Sequence, residues 1–132
     1  MGRGVGISCN KCNYKHLFMT GVGMDYGSLM DVIDIIKNKS VKVQISEILK
    51  YHKVNEENFT HNIYICNKCG NLYERFFVKL NYDDNQIFET VFSCYKCRKP
   101  LFLVENEEVL EKMPCPKCKN KALHIDTSIL WD

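Results

Sequence analysis

Eight cysteines fall into four Cys-x-x-Cys pairs, Cys9/Cys12, Cys66/Cys69, Cys94/Cys97 and Cys115/Cys118, and none lies outside them. A two-residue spacer lets one tight turn, a knuckle, aim both sulfurs at a single point. Four knuckles therefore match two tetrahedral four-sulfur sites with metal–sulfur distances of about 2.3 Å. The third and fourth pairs read C-x2-C-x17-C-x2-C, a spacing within the zinc-ribbon range.

The chain has 132 residues, enough for one compact unit or two very small ones. Halves of roughly 60–70 residues are marginal alone and commonly need a staple. A structural zinc supplies one, with an apparent folding contribution of about 10–16 kcal/mol. Disulfides are the rival use of the thiols. Met1–Ile7 carries no apolar leader core, and no run approaches the roughly 18 apolar residues of a membrane span. The expectation is a cytoplasmic protein off the membrane, with reduced thiols available to metal. A myristoylation reading of Gly2 fails because Gly6 stands where Ser or Thr is required.

The formal charge of +2 counts the thiols as neutral. Each zinc with four thiolates carries −2, so two sites bring the loaded protein to about −2. Overall charge is thus no argument for nucleic acid. With fifteen Lys against three Arg, much of the lysine needs no special role.

Strand-like runs flank every knuckle: Val5–Ser8 and Leu17–Thr20, Asn62–Ile65 and Leu72–Tyr82, Ile87–Ser93 and Leu101–Val104, and Ala122–Thr127. Leu72–Ser93 reads as a β-hairpin turning at Asp83-Asp84-Asn85-Gln86. Between the first two knuckles lie 53 residues that read as a two-helix insertion over about 28–53. Ser28 starts the first helix, with an apolar stripe of Leu29, Val32, Ile33 and Ile36. Ser40 caps the second, with Val41, Ile45, Ile48, Leu49 and His52. The polar stretch Lys53–Thr60 reads as a loop. The predicted fold is a small metal-stapled α+β structure: two zinc ribbons, each an antiparallel hairpin with knuckles, plus the helical hairpin. The division expected is 1–82 for an N-terminal ribbon with the insertion and 83–132 for a C-terminal ribbon, packed as one unit.

Three pairings of the knuckles exist. The sequential one, favoured here, joins Cys9, Cys12, Cys66 and Cys69 in site 1 and Cys94, Cys97, Cys115 and Cys118 in site 2. Closing 53 residues rather than 17 costs only about 1 kcal/mol more. The nested pairing joins the inner two knuckles and the outer two, and a crossed pairing completes the set. Zinc is favoured over iron for closed four-thiolate sites, although Cys115-Pro-Lys-Cys118 resembles a rubredoxin-type iron knuckle. Complete sulfur sets leave no open position for catalysis, so His16, His52, His61 and His124 read as structural and no enzyme is expected.

Weaker signals point to surfaces. Gly21, Gly23 and Tyr26 lie in a glycine-rich segment that breaks both the G-x-G-x-x-G and P-loop patterns. It reads as a turn into the helices, with an anion- or partner-binding loop as the alternative. Lys11, Lys68, Lys96, Arg98, Lys117 and Lys119 crowd the knuckles with Tyr14 and Tyr95. They either offset thiolate charge or contact nucleic acid. Two helices around Asn38-Lys39-Ser40 fit a capping hairpin better than a helix-turn-helix, which would need a supporting third helix. Trp131 reads as a partner anchor or as docked on the protein's own hairpin.

The Met-Gly-Arg-Gly start, Cys9-x-x-Cys12, the Gly21-Val22-Gly23 segment before helices and Cys66-x-x-Cys69 resemble a group of small bacterial zinc-ribbon proteins without an assigned activity. The resemblance covers roughly the first 70 residues and implies architecture alone. The functional expectation is a non-enzymatic scaffold or adaptor that binds two zinc ions and docks a protein partner, with no small-molecule substrate. A nucleic-acid-binding ribbon is the alternative, and an iron or thiol redox protein the second.

Overall fold

Every second residue at the start of the first strand is glycine. In the computed structural model, which describes residues 2–23 and 26–131, β1 (Gly2–Cys9) has Gly2, Gly4 and Gly6 on one face. A Cβ on Gly2 would lie 2.0 Å from the Trp131 ring, and one on Gly4 would lie 2.6 Å from Ile129. The bare face therefore lets side chains of the last strand, β7 (Leu123–Trp131), lie across the β1 backbone. On the opposite face Val5 and Ile7 are fully buried.

β1 is the centre of a three-stranded antiparallel sheet, order β2-β1-β7, with β2 spanning Lys15–Thr20. A bulge at Asp126 on β7 shifts the register between Gly6 and Ile7. Ser8 donates to the Asp126 carboxylate there. Trp131 donates its indole N–H to the Thr20 carbonyl at 3.1 Å, so the single tryptophan docks on its own sheet.

The second antiparallel sheet has order β5-β4-β3-β6, from β3 (Val54–Ile65), β4 (Leu72–Tyr82), β5 (Gln86–Glu89) and β6 (Phe102–Leu103). β4 and β5 turn where the sequence places the turn. Asp83 and Asn85 take positive φ values of 50° and 67°, a conformation their short polar side chains tolerate. Gly21, φ +79°, ties the sheets together: its N–H and C=O bond those of His61 at 2.9 and 3.0 Å.

The insertion departs from two regular helices. Met30–Ile35 is a 3₁₀ segment interrupted at Val32, followed by α1 (Lys39–Tyr51). Asn38, not Ser40, caps α1 by accepting from Val41 N–H at 3.1 Å. The apolar stripe packs as read except at His52, which is exposed at the end of α1 and bonds Asp83. Leu29, Ile45 and Ile48 pack on Val78 and Leu80, with Val32, Ile33, Ile36 and Val41 around them. Lys53–Thr60 is no loop, because Val54–Thr60 forms the first half of β3, paired with β4. Its polar residues serve the edge of a sheet rather than a linker, and Glu57 accepts the Leu29 N–H at 2.6 Å.

A second core joins Val5, Ile7, Phe18 and Leu123 of the first sheet to Ile63 of the second and to Leu110 of α2 (Glu107–Leu110). The division at 82/83 is therefore corrected. It would cut the β4–β5 hairpin, and β7 belongs to the sheet of β1. The architecture is α+β with two antiparallel sheets, one of which joins the two ends of the sequence.

Gly4→Val is expected to lower stability by about 1–3 kcal/mol in urea unfolding, the usual cost of overpacking. Adding Ile129→Ala should recover part of that loss. Strictly additive losses would show that the two positions do not collide.

Candidate metal centres

Each knuckle is a turn with the same backbone grip. The N–H of its first cysteine donates to the carbonyl five residues on: Cys9 to Tyr14 at 3.0 Å, Cys66 to Asn71 at 3.0 Å, Cys94 to Lys99 at 2.8 Å and Cys115 to Asn120 at 2.8 Å. In three knuckles the residue after the second cysteine also donates back to the first cysteine's carbonyl. These are Gly70, Arg98 and Lys119, at 2.8, 2.9 and 2.9 Å. All three take the left-handed conformation, with φ of 77°, 59° and 67°. Only Gly70 adopts it without steric cost; Arg98 and Lys119 are held there at a cost of about 1–2 kcal/mol each. Backbone N–H groups turn toward the sulfurs: Lys11 to Cys9 at 3.3 Å, Tyr14 to Cys12 at 3.4 Å, Cys97 to Cys94 at 3.4 Å and Lys117 to Cys115 at 3.3 Å.

The sulfurs gather as Cys9, Cys12, Cys115 and Cys118 in one cluster and Cys66, Cys69, Cys94 and Cys97 in the other, with ligand atoms within 4.8 Å of one another in each. Sulfurs stand 3.5 Å apart in Cys9–Cys118, 3.6 Å in Cys12–Cys115 and 3.6 Å in Cys69–Cys94. A disulfide needs about 2.05 Å. A tetrahedron with 2.3 Å arms has edges of about 3.8 Å, so the spacing suits a shared metal.

The sequential grouping, Cys9, Cys12, Cys66 and Cys69 with Cys94, Cys97, Cys115 and Cys118, is thus overturned in favour of the nested one. Strand pairing decides it, not loop length. The first knuckle joins β1 to β2, and β7 runs beside β1 with Cys9 opposite Leu123. Asn10 N–H donates to the Ala122 carbonyl at 2.9 Å, which brings the fourth knuckle alongside the first. The second knuckle is the turn between β3 and β4. The third closes over the Ser93–Pro100 bridge, beside β6 on β3.

Four sulfurs this close cannot all ionise without a cation. In the outer cluster the Asn120 N–H, opposed by burial, draws Cys118 down to about 6, helped by hydrogen bonds from neighbouring thiols. Cys12 receives the Tyr14 N–H, yet burial and its three sulfur neighbours push it up to about 12. In the inner cluster burial opposes ionisation of Cys94, yet hydrogen bonds led by the Tyr73 hydroxyl bring it down to about 6. Burial and the other three thiols push Cys97 up to about 12. A divalent cation held by the four sulfurs would replace the shared protons and make all four thiolates tolerable, which is the chemistry of a closed metal site.

Tyr73 and Asn120 beside the sulfurs carried no signal in the motif, whereas Lys119 was among the knuckle cations read from the sequence. Tyr73 places its hydroxyl 3.2 Å from Cys94 Sγ, with Arg75 stacked 4.8 Å over its ring. Asn120 Nδ2 lies 3.5 Å from Cys118 Sγ. Lys119 lies between the clusters, its ammonium donating to Cys69 C=O at 2.6 Å and Pro116 C=O at 3.0 Å.

The other sequence candidates separate into two groups. Lys117 bonds Asn13 and Lys119 the carbonyls above, so both cations are engaged internally. Gly21 bridges the sheets and Gly23 is buried, which fits the structural turn. Tyr26 bonds His61 at 3.0 Å and packs edge-on to Trp131. Lys96 and Arg98 stay exposed on the third knuckle. Of the histidines, His16 stacks on Phe18 and His52 bonds Asp83 at 2.6 Å. Neither they, His61 nor His124 joins a cysteine cluster.

The nested grouping makes a counting prediction. Cys9→Ser with Cys115→Ser removes two ligands from one cluster, so elemental analysis should find one metal retained per chain. Sequential sites would each lose a ligand and retain none or two weakly bound metals. Cys9→Ser with Cys66→Ser should instead weaken both sites.

Comparison with protein-family models, curated proteins and solved structures returns no match, so function must be argued from the sulfur clusters and the surfaces they hold.

Proposed function

We propose that this chain is a non-enzymatic binding protein built on two structural zinc ions in a nested double zinc ribbon. The observation that carries the reading is the convergence of all eight cysteines into two complete four-sulfur sets. A tetrahedral ion with four thiolates has no position left for a substrate or an activated water. Zinc fits better than iron because the sets offer only soft thiolates in a closed geometry without need of electron exchange. A four-thiolate iron centre is the competing occupant.

The staples hold turns rather than a cleft for chemistry. Their product is a rigid surface, and the working role is that of a scaffold for a partner. Metal-bound thiolates belong in a reducing compartment, which supports the cytoplasmic reading. Among the described residues no helix is long and apolar enough to cross a membrane.

Purified protein should be colourless and contain two zinc ions per chain by elemental analysis. Iron in stoichiometric amount with visible absorbance would replace the zinc reading. Stripping both ions with a strong chelator should abolish near-UV circular dichroism and the cooperative thermal transition, because most of the folding energy of such small sheets comes from the sites.

Loading has a definite proton balance. With Cys12 and Cys97 pushed up to about 12, they are protonated at neutral pH and must release protons when metal binds. Zinc affinity should therefore fall as pH falls. A zinc affinity unchanged between pH 8 and pH 5 in a chelator competition would contradict thiolate ligation.

A further inference from the structure

The four knuckle segments, 9–16, 66–71, 94–101 and 115–122, contain nine of the chain's 18 Lys and Arg residues and none of its 16 Asp and Glu residues. The nested pairing assembles them at one end of the molecule. Knuckles one and four share a cluster, two and three share the other, and Lys119 of the fourth bonds the Cys69 carbonyl of the second. Even after two thiolate clusters take back four charges, this end carries about +5 and the rest of the chain about −7. The near-neutral total conceals a strongly polar molecule.

Within that end the inner cluster has the freer surface. Lys68, Lys96, Arg98 and Lys99 are all exposed. Among the described residues none of the four is in an ion pair. Tyr95 stands among them, 86% exposed. Beside the same knuckle a cavity of about 330 Å³ opens between Phe92, Pro100 and Leu101 and the sheet residues Tyr64 and Phe77; Glu89 also lines it, so phosphates would be held on the knuckle cations rather than in this recess. Cations alone would suit any polyanion. An exposed ring among cations suits a polyanion whose bases are unstacked and free to lie on rings.

We infer that the knuckle end around the inner cluster binds single-stranded nucleic acid, with Lys68, Lys96, Arg98 and Lys99 on phosphates and Tyr95 stacking on a base. This rests on the reading of both sites as metal-filled, since the metals hold the knuckles in place. An acidic polypeptide would use the cations but leave the ring idle.

The test is fluorescence anisotropy of labelled 15-nucleotide oligouridylate and oligothymidylate with the full-length, metal-loaded protein. Duplex DNA of equal length and poly-glutamate serve as competitors, and metal content is measured on the same preparation. Four phosphate contacts predict a log–log salt slope of about −3, or about 50-fold tighter binding at 50 than at 200 mM salt. Tyr95→Ala should weaken binding by roughly 5- to 100-fold without changing that slope, and Tyr95→Phe should restore it. Arg98→Gln with Lys99→Gln should flatten the slope by about 1.4. The thermal midpoint of each variant verifies its fold.

No binding at 50 mM salt with two metals present would overturn this inference and leave the metal reading standing. Equal competition by poly-glutamate or by duplex would also overturn it. Fewer than two metals per chain would remove the reading of the sites and this surface with it.

Discussion

The antiparallel pairing of β1 with β7 is the contact on which the rest depends. It closes the chain on itself, sets Cys9 opposite Leu123 and brings the first and fourth knuckles together. It also encloses Ile63 and Leu110 between strands from both ends of the sequence. The glycine face of β1 is what makes the approach so close. With side chains at Gly2 and Gly4, Trp131 and Ile129 would have to lift off, and the outer cluster would lose the sheet that frames it.

Much of this was legible in the residues. The Cys-x-x-Cys spacing identified every candidate ligand, the apolar stripe of the insertion marked what packs on β4, and Asp83–Asn85 marked the hairpin turn. The partnership of the knuckles was not legible, for a physical reason. Loop closure varies only logarithmically with length, so spacing discriminates weakly among pairings, while the decisive term is hydrogen bonding between strands some 120 residues apart. The one trace of it was the Gly-x-Gly-x-Gly alternation, whose meaning needs its partner Trp131. Val54–Thr60 escaped for a related reason: its polar side chains look like a loop until β4 supplies a template. Tyr73 and Asn120 escaped because a hydrogen bond to sulfur leaves no spacing rule behind.

The sulfur clusters and the charge distribution are one arrangement. In the proposed metal-loaded state eight thiolates would concentrate negative charge, and lysines crowd the same knuckles. Lys119 is turned inward to Cys69 and Pro116, while Lys96 and Arg98 are left to solvent. The sulfurs' own ionisation is set by burial and by hydrogen bonds from backbone, thiols, Tyr73 and Asn120, while the lysines fix the charge of the surface around them. Only Lys119 belongs to both, bonding across the clusters while carrying one of the charges.

The nesting also imposes a chronology. A ribosome delivers the chain from its N-terminus, so Cys66–Cys97 can form the inner site as soon as the third knuckle has emerged. Cys9 and Cys12 precede the other six cysteines, yet their partners in the outer cluster come only with residues 115–131. The first pair of the series is thus the last to find its partners, and a chain that stops before Cys115 keeps the inner cluster while leaving Cys9 and Cys12 without theirs.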